Sequence, residues 1–136
     1  MLDKLIAEIE KKRGQQAIAD QKFVVQHQVL GDLAPLLWIS LRLSLEAKSK
    51  GYPSYFGWEV CPKSEAEIRR HSDGKRLHLD YLEDSRCVFY RIGGVAGTCY
   101  IGLNEMNAAI FLNDDGDPYP EAEFLADKLL ELLLRA

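Results

Sequence analysis

The spacing of apolar residues changes twice along this chain and divides it into three blocks. Residues 1–50 carry apolar side chains at intervals of three and four, as on one side of a helix. Turn-forming residues end this period, and residues 51–113 are rich in short strand-like runs. Helical spacing returns over residues 114–136. We therefore predict one α+β domain, residues 1–136, with N-terminal helices, an antiparallel meander of about four strands and a C-terminal helix packed on the sheet.

The first block is predicted to contain more than one helix. Gly14 is expected to end or loosen the first of them, and residues 23–30 are interpreted as further helix rather than strand. A later helix is expected to begin with Asp32 as its N-cap and Pro35 in its first turn. It is expected to end at Gly51, after two lysines.

This later helix is apolar around most of its circumference. A helix of this kind must be covered on several sides, so it is central to the core or to an interface between chains. We expect four of its large side chains to pack on the sheet: Leu36, Trp38, Leu41 and Leu45.

The middle block contains five runs that are candidates for the strands of the meander. Residues 64–70 are instead expected to form one helical turn, because Ser64 and Glu67 have the spacing of a capping box. The clearest local prediction is a β-hairpin whose turn is the glycine-rich segment 93–97. The candidate strands are residues 56–61, 76–81, 87–92, 98–103 and 108–112.

Composition is typical of a soluble globular domain. The chain has 136 residues, 47% of them hydrophobic, and a formal net charge of −4. Its acidic start does not resemble a secretory signal, and no apolar run reaches the roughly 18 residues that cross a membrane, so a cytoplasmic location is expected. The three cysteines contain no C-x-x-C pair, and we expect them to be reduced and mostly buried.

Three patterns resemble functional motifs, and each lacks an essential part. Residues 93–97 lack the lysine and the following helix of a phosphate-binding loop, which favours a hairpin turn. Residues 113–117 resemble a calcium loop, but its first and twelfth positions would hold side chains that cannot ligate. The spacing of His27, His71 and His78 matches no recurrent zinc motif. We therefore expect no metal, no cofactor and no catalytic residue.

Charge is divided unequally along the chain. Residues 1–79 hold 13 basic and 10 acidic side chains, a net +3, whereas residues 80–136 hold 4 and 11, a net −7. Such polarity can steer a partner or orient a second copy of the chain. The segment 63–76 supports an alternative function in nucleic-acid association, although the overall negative charge disfavours it; its basic residues are Lys63, Arg69, Arg70, Lys75 and Arg76.

The predicted hairpin has apolar side chains on both faces. An antiparallel sheet usually leaves one face in water, so this sheet is either covered by helices on both sides or uses one face for association. We assign partner binding to four aromatic residues: Trp38, Tyr90, Tyr100 and Phe111.

The broad layout, a small acidic protein with helices flanking an antiparallel sheet, is similar to that of type III secretion chaperones and small bacterial immunity proteins. This resemblance implies protein binding. The surplus of apolar surface on the helix around Trp38, the two-sided hairpin and the leucine-rich C-terminus leads us to predict a non-catalytic protein-binding module that acts as a symmetric homodimer and buries at least about 1,000 Å² between its copies. A small enzyme of unknown class is a further alternative.

Overall fold

The structure is a computed structural model that describes residues 2–136, with the side chains of residues 2, 4–8 and 27–136. It contains two helices and one sheet, which confirms the α+β prediction. The helices are α1 (Leu2–Gly51) and α2 (Ala122–Arg135). The strands are β1 (Phe56–Glu59), β2 (Glu65–Arg70), β3 (Arg76–Leu82), β4 (Cys87–Ile92), β5 (Val95–Leu103) and β6 (Ala109–Leu112).

The sheet is a meander of six antiparallel strands in chain order, two more than the predicted number. The predicted helical turn at residues 64–70 is wrong, because this segment forms β2. Ala66 and Ile68 are fully buried, while Glu65 and Glu67 alternate with them on the other face. Pairing with a strand on each side and burial at a period of two outweigh the local capping-box signal.

The first helix is continuous from Leu2 to Gly51, so the predicted interruption at Gly14 is wrong. A glycine inside a helix costs only about 1 kcal/mol relative to alanine, which does not force a break. Asp32 is likewise not an N-cap, because it lies within the same helix as Pro35. A helix of 50 residues is about 75 Å long. Neither this helix nor α2 has an apolar stretch long enough to cross a membrane within the described residues.

Both helices pack on the same face of the sheet, which we call the inner face. Among the described side chains of α1, the buried ones are Ala34, Trp38, Leu41, Leu45 and Ser49. Leu36, which was expected to join them, is 59% exposed, because it lies on the opposite side of the helix. The buried side of α2 consists of Leu125, Ala126, Leu129, Leu130 and Leu133.

Two side chains of α1 fix the segment that joins β1 to β2. The indole Nε1–H of Trp38 donates a hydrogen bond to the carbonyl oxygen of Lys63, at 2.8 Å. The guanidinium of Arg42 donates to the carbonyl oxygens of Glu65 and Cys61, at 2.9 and 3.3 Å. These bonds satisfy carbonyl groups of the β1–β2 connection and of the first residue of β2, and they hold α1 in one position over the strands.

The predicted hairpin is confirmed, but its turn is shorter than residues 93–97: Gly93 and Gly94 join β4 to β5, which begins at Val95. Gly93 has a φ of 58°, a conformation that glycine adopts without strain. Gly97 lies opposite Tyr90, whose ring occupies the space that a side chain at position 97 would need. The glycines of this segment therefore serve the turn and the packing of an aromatic ring on the inner face.

Two of the three cysteines are buried, as expected, and the third is half-buried. Cys99 is 1% exposed, and burial raises the pKa of its thiol to about 12. Cys87 is 5% exposed, and burial raises its pKa as well. These two thiols stay protonated near neutral pH and are poor nucleophiles.

The substitution Leu41→Ala tests the packing of α1 on the sheet. Leu41 is fully buried, so its loss should reduce the free energy of unfolding by about 2–5 kcal/mol in urea titrations. Leu132→Ala is the matched control, because Leu132 is 44% exposed on α2. A loss below about 0.5 kcal/mol for Leu41→Ala would show that this part of α1 is not core.

Candidate functional site

The face of the sheet that the helices do not cover, here called the open face, is the candidate site. One part of it, which we call the apolar patch, combines Leu82, Phe89, Tyr100, Ile110 and Leu112. The part nearer β1, which we call the charged cluster, combines Glu59, Glu65, Glu67, Arg69, Arg76, His78 and Asp80. Apolar and ionic side chains thus lie next to each other on one face of the sheet.

The apolar patch extends across four strands in one continuous row. Leu82 pairs with Cys87, Cys87 with Tyr100 and Tyr100 with Leu112, so all four side chains point to the open face. Tyr100 is 46% exposed and Leu82 is 44% exposed, while Cys87 lies beneath them. Leu112 also covers Gly102, where an added Cβ would come within 3.0 Å of the Leu112 Cδ1 atom. The row is therefore a packed apolar surface.

The charged cluster is centred on His78. The His78 Nε2 atom lies 3.3 Å from Glu65 Oε1 and 3.2 Å from Asp80 Oδ1. The other ring nitrogen, Nδ1, lies 3.5 Å from Glu67 Oε1. The spacing of histidines along the chain could not identify this cluster, because the partners of His78 come from its own strand and from β2.

Of the four aromatic residues assigned to partner binding, Tyr100 alone lies on the open face. Trp38 is 3% exposed and stacks on Tyr81, with ring centroids 5.7 Å apart. Phe111 is 1% exposed, and Tyr90 is half-buried on the inner face, where burial raises its pKa. In a single chain these three residues contribute to the core, and their part in partner binding stays a prediction.

Strand alternation could have grouped Tyr100, Ile110 and Leu112 on one face, but it could not show that this face is the uncovered one. In the sequence, the side chains assigned to either face of β4–β6 are mostly apolar. The two faces differ only because α1 and α2 both pack on one of them. The expectation that helices could cover both faces is therefore wrong for the described part of the chain.

The basic residues of segment 63–76 do not form one positive surface. Arg69 pairs with Glu59 at 3.5 Å, and Arg76 pairs with Glu67 at 3.6 Å, both on the open face. Arg70 is on the inner face, where its Nη1 donates to the carbonyl oxygens of Leu133 and Ala136 at the end of α2. Two of these arginines are neutralised by carboxylates, and the third lies on the opposite face of the sheet. This arrangement does not favour a phosphate-binding surface.

The outward side of α1 carries a second apolar surface. Its residues are Leu36, Ile39 and Leu43, 59%, 49% and 57% exposed, and we call them the outer stripe. Their spacing of three and four positions aligns them along one side of the helix. The apolar residues that surround this helix therefore form two groups, one buried against the sheet and one exposed as the outer stripe.

Comparison with known proteins gives no relative: no family model, no curated protein and no solved structure matches this chain.

The ion pair between Arg70 and Asp73 predicts how stability depends on pH. Two hydrogen bonds from the Arg70 guanidinium, at 2.9 and 2.6 Å, lower the pKa of Asp73 far below its usual 3.8. The stabilisation is present above pH 3.8 and is lost as the pH falls towards the lowered pKa. The difference in unfolding free energy between the wild type and Asp73→Asn should therefore shrink below that pH.

Urea titrations between pH 2.5 and 7 measure this difference, and Asp84→Asn, in an exposed turn, is the control for loss of one surface charge. A difference between the wild type and Asp73→Asn that stays constant over the whole range would contradict the lowered pKa.

Proposed function

We propose that this protein is a non-catalytic protein-binding module that acts as a homodimer. The observation that carries the proposal is the placement of both helices on one face of the sheet, which leaves the apolar patch uncovered on the other. Contiguous exposed apolar surface on a packed sheet is typical of interaction sites. Three cysteines that form no disulfide are consistent with a reducing compartment such as the cytoplasm.

The partner we expect on the open face is a protein segment with one apolar side and one charged side. Its apolar side would cover Tyr100 and Leu112, and its charged side would reach the charged cluster. Four carboxylates in that cluster repel phosphates, which favours protein over nucleic acid.

Binding on the face is favoured over addition of a strand at the β6 edge. Residues 117–119 already cover that edge, because Leu112 bridges to Pro118 and the Tyr119 N–H donates to the carbonyl oxygen of Phe111 at 2.8 Å. An edge occupied in this way has few free backbone groups to offer a partner strand.

The second copy of the chain is the proposed occupant of the outer stripe. Asp32 and Lys50 lie in line with the stripe, one beyond each end, and both are exposed. In an antiparallel pair of α1 helices, Asp32 of one copy comes opposite Lys50 of the other, so charge complementarity fixes the register. Lys50 also pairs with Glu46 of its own helix, at 2.9 Å.

Sedimentation velocity at micromolar concentration tests the dimer. We expect twice the 15.4 kDa mass of one chain for the wild type and for the control Leu132→Glu, and a monomer for Ile39→Glu. Ile39 is 49% exposed, so the charge should leave the core intact, which circular dichroism can verify. A wild-type monomer, or a dimer that Ile39→Glu does not weaken, would contradict the proposal.

A photocrosslinking residue at position 100 tests the open face. In cells, we expect it to label a protein partner, which is then purified for titration calorimetry. Tyr100→Ala should weaken binding by about tenfold or more, whereas Val60→Ala, at a 98% exposed site outside the patch, should not.

The ionic strength of the titration distinguishes the two classes of partner. Binding that combines the apolar patch with the charged cluster should weaken only moderately with salt, whereas phosphate contacts would lose affinity steeply. Crosslinks to nucleic acid, or protein binding that Tyr100→Ala leaves unchanged, would refute this use of the open face.

A further inference from the structure

We propose that Glu65, His78 and Asp80 form a binding site for a divalent transition-metal ion, with Zn²⁺ as the best match. These residues offer one imidazole nitrogen and two carboxylate oxygens, all within 4.8 Å of one another. Metal binding at this site requires a single chain and does not depend on the proposed partner.

Two of the three separations between the donor atoms match those around a tetrahedral ion. With bonds of about 2.0 Å from Zn²⁺ to nitrogen or oxygen, two ligand atoms of a regular tetrahedron lie about 3.3 Å apart. His78 Nε2 is 3.3 Å from Glu65 Oε1 and 3.2 Å from Asp80 Oδ1. The carboxylate oxygens of Glu65 and Asp80 lie within 4.8 Å of each other, a separation that side-chain rotation can adjust to fit one ion.

Hydrogen bonding alone accounts poorly for this arrangement. One Nε2–H can point well at only one of the two carboxylates. Glu65 and Asp80 are also direct partners across β2 and β3, where like charges destabilise a sheet. Among the described side chains, the ion pairs of both carboxylates go to His78, whereas Arg76 and Arg69 pair with other acids. A divalent cation would neutralise both carboxylates at once.

The surroundings of His78 favour metal binding through Nε2. Glu67 Oε1 lies 3.5 Å from Nδ1, and its negative charge favours the tautomer that keeps the proton on Nδ1 and leaves the Nε2 lone pair for the ion. The strands fix the positions of all these residues, and Arg42 holds the backbone of Glu65 through its carbonyl oxygen at 2.9 Å. The side chains of Glu65, His78 and Asp80 remain 31%, 21% and 30% exposed, so water can complete the coordination.

The donor set distinguishes between classes of metal. Ca²⁺ and Mg²⁺ prefer oxygen donors alone, whereas an imidazole together with carboxylates suits Zn²⁺ and related transition metals. The arrangement therefore predicts selectivity for Zn²⁺ over Mg²⁺ and Ca²⁺.

Calorimetric titration of the untagged, chelator-treated protein with Zn²⁺ tests the site. We expect one ion per chain for the wild type, and at least about tenfold weaker binding for His78→Ala and Asp80→Asn, because each loses a direct ligand. His71→Ala is the matched control, since His71 is exposed next to β2 and contributes no ligand here. Cys61→Ser controls for the half-buried thiol.

The visible absorption of bound Co²⁺ gives a second readout, because its intensity reports the coordination geometry. We expect a four-coordinate spectrum in the wild type that is lost in His78→Ala. Circular dichroism verifies that each variant is folded, and Asp80→Asn is nearly isosteric. Absence of Zn²⁺ binding in the wild type would overturn the proposal, as would affinity unchanged by His78→Ala or lost in Cys61→Ser.

Discussion

The packing of α1 across one face of the sheet is the contact on which the rest of the structure depends. Burial of Trp38, Leu41 and Leu45 supplies apolar contact, and the hydrogen bonds of Trp38 and Arg42 satisfy carbonyls of the β1–β2 connection. The apolar contacts hold the helix on the sheet, and the hydrogen bonds set its position there. Because α2 packs beside α1, with Lys48 bridging to Asp127 at 2.9 Å, both helices occupy the same side.

This one-sided arrangement gives the two faces of the sheet different chemistry. The inner face is a continuous core in which desolvation holds the Cys99 thiol protonated. The open face combines the apolar patch with the charged cluster. The proposed amphipathic partner and the proposed ion would both lie on this face, because the apolar patch and the charged cluster are side by side on adjacent strands.

The same asymmetry explains the composition of α1. A helix with apolar residues on most sides would be unusual on the surface of a monomer. Here the inward side packs on the sheet and α2, and the outer stripe of Leu36, Ile39 and Leu43 remains uncovered by its own chain. The proposed dimer would cover this stripe and would leave the open face of the sheet free for a different partner.

The sequence by itself determined the three-block order, the β4–β5 hairpin and the burial of Trp38, Leu41 and Leu45, because these follow from local periodicity and turn chemistry. It did not reveal β2, since the capping-box spacing of Ser64 and Glu67 is a local signal, whereas β2 is stabilised by pairing with two other strands. Only the tertiary structure decided which face of the sheet is open, and therefore that Tyr100 is exposed while Phe111 is buried. It also brought Glu65 to His78 and Asp80, residues that a motif search along one chain segment cannot connect, because sheet register sets their proximity.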